Sequence, residues 1–381
     1  MRLFARTALL ATLCSFSRSA MAVPLERVPE PRPQPAGEVC AEAQACESAE
    51  ADDPSAAGDI AISSTFHQAS FNVGPWSLAR EPSTPPRLLA AEDHPSLLPE
   101  PGALEDKIQF WETIYLRHGS DRVVIHDRDA QSVVWRVVEL PKLASGDVDE
   151  KAAKVQLAVE VDDLKERLAR LALTLTPQDD EDRTLLMLAG DGTIKHLDGA
   201  HERLRTQRGV ADKFALAHAR ARKLKAEIEK TLVEERVPRE LAMLPFIESM
   251  FNPVARSSVG ALGLWQLMPS TARWLGLTVT KKQDDRLDVV KSTRAAAKLL
   301  RKNYEMLGSW PLAITAYNHG HNGLKRAVAE AGTNDLVFLV TSYSKENWGF
   351  SSKNFYAGFL AACRSFSAME QTRSRTLTSR G

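Results

Sequence analysis

Residues 241–266 read LAMLPFIESMFNPVARSSVGALGLWQ. This stretch contains one carboxylate, Glu248, among apolar neighbours, and the next acidic residue along the chain is Asp284. A carboxyl group in apolar surroundings loses the solvation of its charged form, which raises its pKa. A raised pKa allows a general acid to hold its proton near neutral pH. The stretch therefore predicts a general acid at Glu248 that has no second acid close to it in sequence.

Helix start and stop signals surround this acid. Pro238 is placed to open the helix that carries Glu248, Pro245 is expected to loosen the turn before it, and Asn252-Pro253 ends it. A glycine-punctuated crossing around Gly263 follows. Further helices are predicted to begin at Pro269 and to cover the segments from a Ser292 or Thr293 cap to Leu307, Trp310–Tyr317, Lys325–Ala331 and Asn354–Phe366. The pattern predicts a mainly α domain.

The region upstream of Pro238 has its own periodic segments. Ala103–Leu116 has helical spacing, whereas the β-branched runs Val123–Ile125 and Val133–Val138 leave strand and helix unresolved. Val155 to Leu175 predicts an amphipathic helix with a leucine seam, ended by Pro177 and the following acidic run. A second such helix spans Phe214 to Ile228. We interpret these two as packed helices of an accessory region.

Composition divides the 381 residues into five parts. Residues 1–22 have the charged start, short apolar run and A-x-A site of a secretory signal, which predicts an exported, periplasmic protein. Residues 23–102 form a Pro/Ala-rich acidic segment that is expected to be a disordered linker. Residues 103–237 form the mainly helical accessory region, 238–370 the catalytic domain, and 371–381 a basic tail. Cys40 and Cys46 would pair only if exported, and Cys363 is expected to be buried.

Charge is distributed unevenly along the chain although the formal net charge is +0. The segment Val23–Leu104 contains 13 acidic and 4 basic residues, whereas Pro238–Glu370 contains 16 basic and 10 acidic residues. A basic domain favours an anionic partner through long-range attraction. Nucleic acid is not expected, because no finger, stacking platform or basic-helix signature is present. An anionic polysaccharide fits the charge equally well.

Glycosidic bond cleavage is one reaction for a protonated carboxyl group, and it usually requires two carboxylates. Three routes are open here. Asp284 or Asp285 folds against Glu248, water attacks with Glu248 acting alone, or the sugar supplies its own nucleophile.

Four blocks extend the pattern around Glu248. They are Glu248-Ser249 followed by Phe251-Asn252-Pro253, Ser258-x-Gly260-Ala261-x-Gly263-Leu264-Trp265-Gln266-Leu267-Met268-Pro269-x-Thr271-Ala272, Ala316-Tyr317-Asn318, and Asn354-Phe355-Tyr356. In this order and spacing they resemble the lytic transglycosylase family that has the soluble lytic transglycosylase (SLT) catalytic domain. The resemblance runs from Pro238 to Phe366 and implies a lysozyme-like fold.

The resemblance implies that Glu248 is the only acid/base. It would cleave the MurNAc–GlcNAc β-1,4 bond of peptidoglycan and form 1,6-anhydroMurNAc, with peptidoglycan glycan strands as the partner and no cofactor or metal. The implied substrate-binding residues are Ser249, Trp265, Gln266, Met268, Tyr317, Asn318 and Tyr356. Ser249 would position a substrate carbonyl or Glu248 itself, Tyr317 and Asn318 would orient the oxocarbenium region, and Tyr356 would form a hydrogen bond near Glu248.

Two positions depart from the family pattern. Trp265 replaces the usual Met, and it is expected either to stack on a sugar or to pack in the core. His319 and His321 follow Asn318 and are expected to make polar contacts to the substrate rather than to bind a metal. The expected protein is a monomer without a carboxy-terminal LysM repeat. The alternatives are a goose-type muramidase that uses water, and a catalytically silent wall-binding scaffold.

Overall fold

The chain folds mainly into α-helices, as the apolar spacing predicts. The computed structural model describes residues 98–190 and 196–378. The helices are α1 (Glu105–Leu116), α2 (Glu150–Thr174), α3 (Asp180–Leu188), α4 (Ala211–Glu234), α5 (Leu244–Ser249), α6 (Pro269–Trp274), α7 (Val289–Leu307), α8 (Trp310–His319), α9 (His321–Ala331), α10 (Leu336–Thr341) and α11 (Phe350–Thr378). The strands are β1 (Arg122–Asp127), β2 (Val134–Glu139) and β3 (Leu204–Arg208). The predicted signal, most of the predicted linker, Cys40 and Cys46 lie outside the described residues.

A large hydrophobic core joins helices from both sides of the predicted boundary at Pro238. It includes residues of α1, α4, α5, α7, α8 and α11. Phe214 of α4 stacks on Phe246 of α5 with ring centroids 4.6 Å apart, and Tyr115 of α1 stacks on Phe214 at 5.1 Å. The helices α1 and α4 are therefore structural parts of the helical core that carries Glu248.

A smaller module contains the three strands with α2 and α3. The antiparallel sheet has the order β2-β1-β3, so the β-branched runs are strands. The leucine seam of α2 packs in separate, smaller cores with the sheet and α3. The interpretation of α2 and α4 as one packed pair was wrong, because the apolar face of α4 is buried in the large core instead. Helix α3 and strand β3 were not predicted from the sequence.

Charged side chains fasten α3 to α2 in this small module. The Arg136 guanidinium on β2 binds Glu160 at 2.6 Å and Asp163 at 2.7 Å, and it also binds Glu181 of α3. Asp182 of α3 is completely buried and binds Arg167 at 3.0 Å and Arg170 at 2.7 Å. The acidic run that was expected only to end α2 therefore forms the start of a helix, with Asp179 as its cap.

Asn354 connects the small module to the large core. Its Oδ1 accepts hydrogen bonds from Trp111 Nε1 of α1, at 3.2 Å, and from Gln131 Nε2 in the β1–β2 turn. Lys107 donates to Gln131 Oε1 at 2.6 Å. Because all four side chains are buried or half-buried, this network fixes the first turns of α11 relative to the sheet.

Several helix boundaries differ from the prediction. Helix α7 begins after Asp288, whose carboxylate accepts from Lys291 N, so the predicted Ser292 or Thr293 cap was wrong. The segment after Pro238 is a 3-10 helix over Arg239–Met243 and becomes the α-helix α5 only at Leu244, so the prediction of one helix from Pro238 was wrong. Pro245 lies in the first turn of α5, where its missing N–H costs nothing. Across residues 98–190 and 196–378, no helix combines the length and apolar character that crossing a bilayer requires.

Candidate active site

Glu248 lies at the end of the short helix α5, in the largest core of the described residues. The helix stops at Ser249 because Met250 and Phe251 adopt positive φ angles of 49° and 52°. Phe246, two residues before the acid, packs between Phe214 and Phe251, with each pair of ring centroids 4.6 Å apart. These aromatic contacts fix α5, so the position of Glu248 is set by the core.

Burial controls the chemistry of Glu248. Only 2% of its surface is exposed, and among the described residues its Oε1 has no hydrogen-bond partner. Burial therefore raises the pKa of Glu248 well above its usual value. The phenol pKa of Tyr317 on α8 is raised mainly by burial. The nearby charge of Glu248 raises it further. The arrangement suits a carboxyl group that is protonated at neutral pH.

The glycine-punctuated loop after α5 packs against the acid's helix through two hydroxyl groups. Ser249 Oγ donates to Leu264 O at 2.8 Å, and Tyr317 OH donates to Trp265 O at 2.8 Å. Each side chain has its only proton engaged with the loop in this structure. Both residues therefore hold the loop beside Glu248.

The sugar-stacking alternative for Trp265 was wrong. Its ring is completely buried, and its Nε1 donates to Thr293 Oγ1 of α7 at 2.9 Å. A buried indole needs a partner for its N–H, and Thr293 supplies one. Trp265 is thus a core residue that anchors the loop to α7.

Gln266, Met268 and Asn318 lie around the same loop and helix. Gln266 has a φ angle of 45°, and its Nε2 donates to Gly263 O at 2.8 Å and to Ala255 O at 3.1 Å. Met268 is half-buried, and Asn318 is 2% exposed next to Tyr317 on α8. The side-chain N–H groups of Gln266 therefore stabilise the loop. Its Oε1 is the atom that could accept a hydrogen bond from a ligand.

Tyr356 does not form its expected hydrogen bond near Glu248. Its hydroxyl donates to Pro99 O at 2.8 Å, at the start of the described residues. Burial raises the pKa of Tyr356, and the nearby Cys363 and Glu100 raise it further, whereas Glu248 does not contribute. The expected role was wrong because this face of α11 packs against the segment before α1, where Arg364 also binds Glu100 at 2.8 Å.

The two candidate second acids are engaged elsewhere. Asp284 binds Arg286 at 2.8 Å, and Asp285 binds Lys291 at 2.8 Å. Hydrogen bonds to these cations lower the pKa of both carboxyls, so both are ionised and structural. The structure does not support the route in which Asp284 or Asp285 joins Glu248.

His319 and His321 lie just beyond Asn318. Nδ1 of His319 is 2.8 Å from Ser352 Oγ, its ring contacts Trp348 edge-on, and burial lowers its pKa to about 4. A Cβ at residue 323 would lie 2.7 Å from His319 Nε2, so a larger residue there would displace the imidazole. No group of three metal-ligating side chains occurs within the described residues. Ser352 was not singled out from the sequence, since a lone serine carries no pattern.

Comparison with known proteins defines the class first. Residues 225–336 match the family described as "Transglycosylase SLT domain", so this part of the chain is an SLT domain. The mainly α, lysozyme-like fold that the sequence predicted is thereby confirmed. The matched segment begins inside α4 and contains Glu248, Trp265 and Tyr317.

Three relatives show how similar the chain is to individual proteins and how much of each chain is aligned. The chain is 43% identical over 93 residues to "Membrane-bound lytic murein transglycosylase D" of Escherichia coli (strain K12), which covers 24% of this chain and 21% of that protein. It is 41% identical over 116 residues to a "Putative tributyltin chloride resistance protein" of Alteromonas sp., covering 29% of this chain and 55% of the relative. A "Transglycosylase" of Enterobacteria phage PRD1 is 40% identical over 85 residues, covering 22% and 30%. The chain thus spans about a fifth of the E. coli protein and about half of the Alteromonas protein.

Proposed function

We propose that the protein is a peptidoglycan lytic transglycosylase. It cleaves the β-1,4 bond between MurNAc and GlcNAc and leaves a 1,6-anhydroMurNAc end. One observation carries this proposal: Glu248 is a buried carboxyl whose pKa is raised well above its usual value by burial, with no contribution from another carboxylate. The SLT match over residues 225–336 supports the substrate class.

The single acid serves two proton transfers. Glu248 first donates its proton to the glycosidic oxygen, and the bond between C1 of MurNAc and this oxygen breaks. The resulting carboxylate then accepts the proton of the MurNAc C6 hydroxyl as that oxygen bonds to C1. Glu248 ends protonated, and no water is consumed. A nucleophile tethered to the reacting sugar has a high effective concentration, so no second carboxylate is required.

The residues around Glu248 support this assignment by position. Ser249 and Tyr317 hold the loop that borders the acid, and their hydroxyl oxygens still have lone pairs for a sugar hydroxyl. We assign Gln266 and Met268 to the wall of the glycan groove. Asn318 is assigned to orient the sugar ring on which positive charge develops.

The organisation of the chain follows from the same proposal. An exported, periplasmic and monomeric enzyme would meet its substrate directly, with the segment 23–102 as a tether and the small module as an accessory unit. The basic character of Pro238–Glu370 favours the anionic glycan. The E. coli relative is named membrane-bound, and we propose an envelope association for this chain.

Digestion of purified sacculi with the full chain tests the proposal. Mass spectrometry is expected to find 1,6-anhydro ends. Reducing ends instead would identify a muramidase that uses water, and unaltered sacculi would identify a scaffold. Glu248→Gln should lower the rate by about a hundredfold to ten-thousandfold, the usual contribution of general acid–base catalysis. Glu305→Gln is the matched control, because Glu305 is an exposed residue of α7, and its rate should equal that of the wild type.

A further inference from the structure

Arg286 binds both ends of the loop that borders Glu248. Its Nη1 donates to Gly260 O and to Leu267 O, each at 2.9 Å. These two carbonyls enclose the segment that contains Gly263, Leu264, Trp265 and Gln266. A single side chain therefore fixes the distance between the start and the end of this segment.

The main chain of Arg286 also contacts the middle of the loop. Gly263 has a φ angle of 83°, and a Cβ at this residue would lie 2.1 Å from Arg286 O. This close approach is possible only for glycine. Arg286 thus touches the loop at its beginning, middle and end.

Asp284 holds the guanidinium in the required orientation. Arg286 Nε donates to Asp284 Oδ1 at 2.9 Å, and Nη2 donates to Oδ2 at 2.8 Å. The Arg286 side chain is only 5% exposed, so its charge is compensated mainly by this carboxylate. A planar guanidinium forms this fork and keeps Nη1 for the carbonyls, whereas a lysine ammonium lacks the fixed geometry.

The loop that Arg286 holds is hydrogen-bonded to the helices next to Glu248. Leu264 O and Trp265 O, within the restrained segment, accept from Ser249 and Tyr317 on the helices next to Glu248. We propose that Arg286, held by Asp284, is a positioning residue that keeps the Gly260–Leu267 loop closed over Glu248 and excludes water from this acid. The inference rests on the proposed function for its effect on catalysis, but the exclusion of water can be measured without substrate.

The charged and titratable groups near both ends of this arrangement are few among the described residues. Tyr317 from α8 interacts electrostatically with Glu248. Arg256, which precedes this loop, adds to the effect of Arg286 in lowering the pKa of Asp284. In the neighbouring Asp285–Lys291 pair, the Asp285 carboxylate accepts from Lys291 Nζ, Thr278 N and Gln283 Nε2. A weakened loop should therefore act on Glu248 through hydration, which lowers the pKa of a buried carboxyl.

Carbon-13 NMR titration of the Glu side-chain carboxyls provides the test in full-length protein, with the Glu248 signal assigned by its loss in Glu248→Gln. Arg286→Lys should lower the pKa of Glu248 by about one unit and shift the alkaline limb of the activity profile by the same amount. Product formation from sacculi should fall between about tenfold and about a hundredfold, since a misplacement of about 1 Å can cost a hundredfold. Asp284→Asn should cause smaller shifts in the same direction.

Lys291→Gln is the matched control and should leave the titration and the rate unchanged, because Lys291 is half-exposed and forms its salt bridge with Asp285. The inference is overturned if Arg286→Lys leaves the Glu248 titration and the alkaline limb at their wild-type positions, even if stability falls. If Arg286→Lys does not fold, the same readouts in Asp284→Asn decide. If the wild type forms no anhydro ends, the proposed function fails, while the substrate-free titration still tests the role of Arg286.

Discussion

The large core and the small module each contain a buried carboxyl group, but the two carboxyls have opposite surroundings. In the large core, Glu248 is buried among apolar side chains and its Oε1 has no partner among the described residues. In the small module, Asp182 is equally buried but binds Arg167 and Arg170. Burial alone therefore does not indicate a functional acid. The difference lies in whether the surroundings compensate the charge, and only the uncompensated carboxyl can hold a proton at neutral pH.

Removal of the compensated acid gives the largest expected loss of stability. Asp182→Ala leaves Arg167 and Arg170 without their buried partner and should destabilise the small module by about 3 kcal/mol. Hydrogen exchange should then become faster in α2 and α3 while α7 keeps its protection. Asp180→Ala is a suitable control, because Asp180 is an exposed residue of the same helix. Equal loss of protection in α7 would contradict two separately packed regions.

Removal of the uncompensated acid should instead increase stability at high pH. The folded-state pKa of Glu248 is raised, so its protonated form is favoured by folding, and its ionisation destabilises the fold as pH rises above the unfolded-state value. Glu248→Gln should therefore match the wild type below about pH 4 and exceed it by about 1.4 kcal/mol for each pH unit above that, until the folded pKa is reached. Urea unfolding at several pH values measures this. An equal difference at all pH values would mean that Glu248 is not protonated in the fold.

The small module should show the opposite dependence on pH. The pKa values of Asp163, Asp179 and Asp182 are lowered in the fold, where hydrogen bonds and arginine charges outweigh burial. A lowered acid pKa gives stability that is complete above the unfolded value, near 3.8, and is lost as pH falls through the folded values. The protection factors for hydrogen exchange in α2 and α3 should thus fall below about pH 4, before those in α7 do. A simultaneous fall in all three helices would mean that the two regions unfold as one unit.

The connection between the two regions gives a smaller expected effect. Asn354→Ala removes the acceptor shared by Trp111 and Gln131, and each buried hydrogen bond that is lost costs about 1 kcal/mol. The protection of the first turns of α11 should fall. Ser351→Ala is the control, because Ser351 is close in the same helix and is not part of this network. Unchanged protection in Asn354→Ala would show that the network does not join the regions.

Most of the helices and the candidate acid Glu248 could be predicted from the sequence. The contacts of the residues around this acid could not. Glu248 could be found because an isolated carboxylate among apolar residues is visible in one short stretch. Trp265 could not be placed, because its burial depends on Thr293 of α7, and Arg286 was missed because its partners Gly260 O and Leu267 O are main-chain atoms present at every residue. Helix α3 was missed because the acidic run that caps it also reads as the end of α2.

Tyr356 distinguishes a motif residue used for packing from one used for chemistry. Tyr356→Phe removes the hydrogen bond to Pro99 O but keeps the ring in the core, so stability should fall by only about 1 kcal/mol. The rate of anhydro-product formation and its pH profile should be those of the wild type, because the hydroxyl points to the segment before α1. Tyr317→Phe is the contrasting variant, since it releases Trp265 O beside Glu248 and should lower the rate. If Tyr356→Phe slows the reaction as much as Tyr317→Phe does, Tyr356 acts at the site through a conformation other than this one.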